Sequence, residues 1–114
     1  MATYDELLAE ELQEGEEVIE QIAGDHWEYA FLLASQHQGR YFFTNKRIIF
    51  YYCLRKSFEI PYTSIVSAEL CMVGPRIRFL PFGIKVTTKD GAVYHLSVLN
   101  RKHYLELILN NMIK

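Results

Sequence analysis

Cysteine, proline and tryptophan are scarce in this chain of 114 residues, at two, three and one respectively. Cys53 and Cys71 form no Cys-x-x-Cys pair, which removes a disulfide framework, a thiol redox motif and a cysteine-based zinc site. Both sit in apolar strand-like contexts, where a free thiol acts as a small hydrophobe, so buried thiols are expected. No apolar run approaches the ~20 residues of a membrane-spanning helix. The first 28 residues hold no Lys or Arg. They therefore lack the basic-then-apolar order of a signal peptide, and a cytoplasmic protein is expected. No repeat, linker or low-complexity stretch is visible. The glycines are isolated, so no phosphate-cradling loop is expected.

Catalytic and metal-binding constellations are equally thin. His26, His37, His95 and His103 are scattered, without the His-x-x-x-His spacing of a metal helix. Asp25-His26-Trp27-Glu28 places two carboxylates beside an imidazole, but Trp27 reads better as a loop anchored on the core. His37 falls in an expected polar turn and His103 in a first helical turn, both solvated positions. No catalytic, cofactor-binding or metal-binding residue is assigned, and an enzyme is not expected.

What is present is enough apolar residue, half of the chain, for one domain with one core. Thr3-x-x-Glu6 is a capping box, followed by Tyr4, Leu8 and Leu12 on one helical face, with Gly15 as a stop. A helix this short is marginal alone and should dock. Val18 to Ile22 reads as a strand, Gly24-Asp25 as a break, Tyr29 to Ala34 as an apolar run of strand or helix, and Ser35 to Gly39 as a turn. Tyr41 to Phe43 and Arg47 to Tyr52 form strands around Thr44-Asn45-Lys46, where Asn45 would tolerate a left-handed turn. Ser57 to Ile60, Ile65 to Val73 and Ile77 to Phe82 follow, with Pro81 arguing for an edge. Ile84 to Lys89 meets Ala92 to Val98 across Asp90-Gly91, a strong hairpin signal. Asn100 can cap a last helix from about Arg101 to Ile113, striped with Tyr104, Leu105, Ile108, Leu109 and Met112.

The series Gly39, Thr44-Asn45-Lys46-Arg47, Ile48 to Phe50 and Ile60-Pro61-Tyr62-Thr63-Ser64-Ile65 resembles the bacterial pleckstrin-homology-like domains and the related GRAM domains. The segment from Leu12 to Val18 and the Thr88 to Tyr94 hairpin share the likeness, which covers most of the chain from Leu12 on. The resemblance implies a mainly β fold. About seven antiparallel strands would form a partly open barrel closed by a C-terminal helix, with no catalytic residues. The expected organisation is an acidic N-terminal helix over 1–15 and the barrel with its helix over 16–114.

Charge is split along the chain. Ten of the fourteen acids lie at or before Glu28, leaving four against all twelve bases. Either the acidic segment folds back on the barrel or the basic part faces a polyanion. Inositide-binding relatives gather bases in the loop joining their first two strands. Here that loop is placed at Ala23 to Tyr29 and carries Asp25 and Glu28 instead, so inositide binding there is not expected. Nucleic acid is not expected either.

Two surfaces stand out. Arg76, Arg78, Leu80 and Phe82 alternate along one expected strand face, bases followed by apolar groups, a composition shared by protein interfaces and membrane-surface contacts. Between Arg47 and Cys53 both strand faces are apolar, Ile48, Phe50 and Tyr52 on one and Arg47, Ile49 and Tyr51 on the other. An isolated barrel covers only one. The second cover is the N-terminal helix or another subunit, and a homo-oligomer through Arg47, Ile49 and Tyr51 is the favoured expectation. The functional expectation is a non-catalytic binding or assembly module. The alternative is a peripheral membrane module using Arg76 to Phe82.

Overall fold

A computed structural model describes residues 3–30, 33–75 and 78–113. A short helix α1 (Tyr4–Glu11) precedes strands β1 (Val18–Ala30), β2 (Leu33–Thr44), β3 (Arg47–Tyr52) and β4 (Arg55–Pro61). A single 3-10 turn, Tyr62–Ser64, leads to β5 (Ile65–Val73), β6 (Leu80–Thr88) and β7 (Val93–Ser97), and helix α2 (Arg101–Met112) closes the order. All strand pairings are antiparallel, in the order β4-β3-β2-β1-β7-β6-β5.

The sheet curls on itself. Phe58 of β4 and Tyr94 of β7 are four strand positions apart, about 19 Å in a flat sheet. Their ring centroids lie 4.8 Å apart. The main core fills the concave side with Tyr41, Phe43, Ile48, Phe50, Ile60, Ile84, Val86 and Leu96. Helix α2 packs Tyr104, Leu107 and Ile108 into that core, and Tyr104 stacks on Phe43 at 5.0 Å. The expected stripe is rotated slightly: Leu109 is exposed, and Leu107 takes a buried place instead. Asn100 holds the cap position without a side-chain bond. Its backbone is left-handed (φ 58°), and its carbonyl accepts from the His103 and Tyr104 amides.

Several local expectations change. Strands β1 and β2 run unbroken through Gly24-Asp25, expected as a break, and Ser35 to Gly39, expected as a turn. Gly24 and Gly39 are opposite each other in that ladder. A Cβ on Gly24 would lie 2.6 Å from the Ser97 carbonyl, and one on Gly39 would collide with the Tyr51 carbonyl. These glycines admit close backbones rather than a turn. Of the expected apolar run, Tyr29 and Ala30 end β1, Leu33 and Ala34 begin β2, and Phe31 and Leu32 lie outside the described residues. Strand β4 begins earlier than expected, at Arg55. Strand β6 is continuous across Pro81 and Gly83, joining two expected segments.

Helix α1 ends at Glu11 with Leu12 extended, four residues before Gly15. The Thr3 hydroxyl accepts from the Glu6 amide at 3.2 Å, as a cap should. The Asp90-Gly91 hairpin forms as expected, with Gly91 at φ 88° and the Asp90 carboxylate accepting from the Ala92 amide at 3.2 Å. The β3–β4 turn is less comfortable, because Cys53 and Leu54 both take positive φ (52° and 58°). Cys53 is exposed there, not buried; Cys71 is half-buried, and burial raises its thiol pKa.

Candidate functional site

The turn Thr44-Asn45-Lys46-Arg47 binds the segment after α1 rather than a ligand. Asn45 has no left-handed backbone. Its side chain accepts from the Glu17 amide at 2.9 Å and donates to the Gly15 carbonyl at 3.1 Å. Lys46 Nζ donates to the Glu14 carbonyl at 3.0 Å. Arg47 turns its guanidinium onto Glu16, Nε to Oε2 at 2.9 Å and Nη2 to Oε1 at 3.0 Å. Glu11 and Glu59 also bond Arg47, and Lys56 bridges the same two carboxylates. Part of the acidic segment therefore does fold back on the barrel's bases.

Burial works against ionisation of Glu16, but the Arg47 guanidinium, the Gln13 amide and the Thr44 hydroxyl outweigh it and hold its pKa at about 2. The hydrogen bond from Arg47 to Glu16 raises the guanidinium's pKa, against the opposing effect of burial.

This arrangement corrects the expected oligomer surface. Arg47, Ile49 and Tyr51 are all buried within the single chain, with Ile49 wholly inaccessible. Ile49 and Tyr51 join Phe42 and Leu8 in a second small core, flanked by Tyr4, Leu7, Leu12 and Val18. The chain's own α1 supplies the second cover. A hairpin apolar on both faces needs two covers, and it has them without a partner.

The other expected surface is partly assembled. Arg76 lies outside the described residues. Arg78 precedes β6 and is exposed, its guanidinium carbon 3.6 Å from the centroid of the Tyr29 ring. Leu80 is half-buried, and Phe82 is exposed. Of the three described residues, only Leu80 and Phe82 belong to the strand.

Phe82 instead sits with Leu99, which sequence reasoning missed. Leu99 is 69% exposed and Phe82 40%. Both line a depression of about 520 Å³ that reaches Tyr4 and Arg40, and a second of about 250 Å³ that reaches Arg101 and Lys102. Phe79, also exposed, lies nearby in sequence. The signal for Leu99 was an apolar residue standing between a strand and a helix cap, a place where exposure is cheap only if something else covers it.

The segment Ala23 to Tyr29, expected as a loop, is strand. Alternation along β1 sends His26 and Glu28 to one face and Trp27 and Tyr29 to the other. His26 packs against Phe58 at 4.7 Å and Tyr94 at 6.1 Å. His37, in β2 rather than a turn, stacks on His26 at 6.1 Å and meets Tyr52 edge-on at 4.8 Å. Burial pushes the His26 pKa down to about 4, against the pull of Glu28 and with help from His37 and His95. His95 is half-buried and likewise lowered, by burial first and then by Arg78 and Lys85. His103 is exposed as expected and lies 2.5 Å from Glu20. Among the described residues no group of three or more His, Cys, Asp or Glu is placed to hold a metal ion.

Neither a protein-family model nor any curated protein matches the chain. Among solved structures it is similar to the C-terminal domain of an unknown protein from Leishmania infantum. That likeness has a TM-score of 0.69 at 19% identity, covering 89% of this chain and 88% of that one. At this identity it is a likeness of fold. Among the described residues, no helix is long and apolar enough to cross a membrane.

Proposed function

We propose that this chain is a non-catalytic binding module of the pleckstrin-homology-like type, docking a protein partner on the surface around Phe82 and Leu99. The observation that carries the reading is the exposure of two large apolar side chains side by side, on the shared rim of two depressions. Such side chains at the centre of a patch, ringed by polar groups, are the usual anchors of an interface. Arg101 and Lys102 stand on one side, while Arg40 on the other is matched by Asp25, so a partner segment that is apolar at its centre and acidic toward Arg101 and Lys102 fits best. Seven antiparallel strands closed by a C-terminal helix support the pleckstrin-homology-like reading of the sequence motifs.

The basic rim also favours a second reading, a peripheral contact with an anionic membrane through the same Phe82 surface. A double substitution, Phe82→Ser with Leu99→Ser, separates these. Light scattering and chemical crosslinking of the pure protein read self-association through this patch. Cosedimentation with phosphatidylserine vesicles reads the membrane. Loss of a specific protein complex in the double variant, with circular dichroism unchanged, supports the module. Vesicle binding that depends on Phe82 transfers the site to the membrane reading. A variant that keeps every interaction of the parent removes this surface from the function.

A further inference from the structure

The mouth of the barrel between β1, β4 and β7 holds a cavity of about 450 Å³ lined by His26, Trp27, Glu28, Tyr29, Phe58 and Tyr94, among others. It lies apart from the Phe82 surface and shares no lining residue with either of those depressions. Three observations bear on what it could hold. Its walls are unusually aromatic, with Phe58 and Tyr94 in contact at 4.8 Å and His26 closing on both. Its lining carries one carboxylate, Glu28, and no Lys or Arg among the described residues. And the side chain of His26, only 8% exposed, has an Nδ1 with no hydrogen-bond partner; the Trp27 indole N–H also lacks one, but it belongs to the other face of β1.

A buried polar nitrogen without a partner is uncommon in a folded protein and calls for a partner from outside. Glu28 Oε1 stands 3.8 Å from that nitrogen and 3.4 Å from His37 Nε2, too far for good bonds, and the Glu28 side chain is 60% exposed. A carboxylate and a neutral imidazole nitrogen thus face the same space over aromatic walls. Aromatic faces attract cations, and a desolvated cation gains most from them. An anion would meet Glu28 with no base in the lining to offset it. The nearby bases lie elsewhere: Arg78 already covers the Tyr29 ring, and Lys85 pairs across from His95 on β6.

We infer that this cavity is a site for an alkylammonium group, free or at the end of a lysine side chain, held between Glu28 and His26 over Phe58 and Tyr94. In the tautomer with its proton on Nε2, His26 accepts an N–H from the ammonium at Nδ1, while Glu28 neutralises the charge. His26 is neutral near pH 7 because burial depresses its pKa to about 4, so it does not repel the guest. This charge preference is opposite to that of an inositide site.

Isothermal titration calorimetry reads occupancy directly, because Trp27 lines the cavity but stands on the other face of β1 from His26 and Glu28. The protein is titrated at pH 7.5 and constant ionic strength with n-butylammonium, N-acetyl-lysine amide, tetramethylammonium and butyrate. Saturable binding of the two primary ammonium probes in the millimolar range is expected, with no response to butyrate. Tighter binding of the lysine derivative than of butylammonium would point to a peptide source, and equal binding to a free amine. Glu28→Gln, at an exposed position, should weaken butylammonium about tenfold, the usual worth of one charge-assisted bond. His26→Phe should erase the preference for butylammonium over tetramethylammonium, which has no N–H to donate. Equal binding of butyrate, an unchanged affinity in Glu28→Gln, or no saturable response to either primary ammonium would each overturn the assignment.

Discussion

Glu16 and Arg47, 31 residues apart in sequence, meet in a two-point ion pair, and both side chains are almost wholly buried (0% and 4% exposed). Thr44 donates its hydroxyl to the same carboxylate at 2.7 Å. A buried pair adds little net stability when complete, but removing Arg47 leaves the buried Glu16 carboxylate without its counter-charge. Arg47→Met should therefore cost about 3 kcal/mol in urea unfolding. Arg47→Met combined with Glu16→Ala should cost less than Arg47→Met alone, and so should Glu16→Ala, which leaves Arg47 paired with Glu11 and Glu59.

Acid should unfold the protein in two stages. His26 has a folded pKa of about 4, below its ordinary 6.5. The unfolded chain therefore takes up the proton first, and stability falls between those values as pH drops. Glu16 has a folded pKa of about 2 against an ordinary 4.5. Its contribution is complete above the ordinary value and is lost as pH falls toward the folded one. Melting temperature measured against pH should show both slopes. His26→Phe should reduce the upper slope, which His95 shares, and Glu16→Gln the lower, which Glu11 and Glu59 share; a parent profile flat between pH 6.5 and 4 would contradict the burial of neutral His26.

Leu8 is the buried residue of α1 and sits on Phe42, Ile49 and Tyr51. Leu8→Ala should destabilise by about 2–3 kcal/mol. Ile49→Asp, placing a charge in the same cluster, should cost at least as much. If the helix is the working cover, light scattering should show the parent's mass unchanged by dilution. A parent that dissociates on dilution would mean that subunits also meet, by another surface.

The two-residue turn at Cys53-Leu54 carries positive φ without glycine. Such turns favour Asn-Gly, and each ordinary residue held there costs about 1 kcal/mol. Cys53→Asn with Leu54→Gly should raise stability by about 1–2 kcal/mol. A decrease would show that the Leu54 side chain contributes beside Leu7 of α1, since the amide that donates to the Tyr4 hydroxyl at 3.3 Å is kept by glycine.

Gly24→Ala should be far more damaging than Gly91→Ala. An added Cβ at Gly24 meets the Ser97 carbonyl at 2.6 Å and Val98 at 2.8 Å, whereas nothing lies within 4 Å of one at Gly91. Soluble yield and melting temperature of the two variants check this directly.

The sequence announced the elements whose pattern is local. The Asp90-Gly91 hairpin, β3, β5 and the start of α2 follow from turn chemistry and periodicity and were found where expected. Gly24 and Gly39 misled, because a glycine that lets two backbones approach looks the same in sequence as one that lets a chain turn. Their true reason lies in Ser97 and Tyr51, far along the chain. Arg47 misled similarly: its place on an apolar strand face resembled an exposed rim, and its partner Glu16 sat in a segment read only as acidic. The doubled apolar faces of β3 were legible, but the identity of their second cover was not. The cavity at His26 depends on Phe58 and Tyr94 meeting across the curl of the sheet, which no spacing along the chain encodes.

The hairpin of β2 and β3 belongs to both cores at once, with Tyr41, Phe43, Ile48 and Phe50 in one and Phe42, Ile49 and Tyr51 in the other. Tyr41 to Thr44 and Arg47 to Tyr51 are buried throughout, whereas the first half of β2 is largely open to water. Amide exchange should therefore be slowest along Tyr41 to Phe43 and Ile48 to Tyr51, while α1 opens first. A fluctuation that lifts α1 would bare Phe42, Ile49 and Tyr51 together, a flat apolar strip within an otherwise intact barrel. The earliest step toward aggregation would then be the loss of eight helical residues, not the unfolding of the sheet.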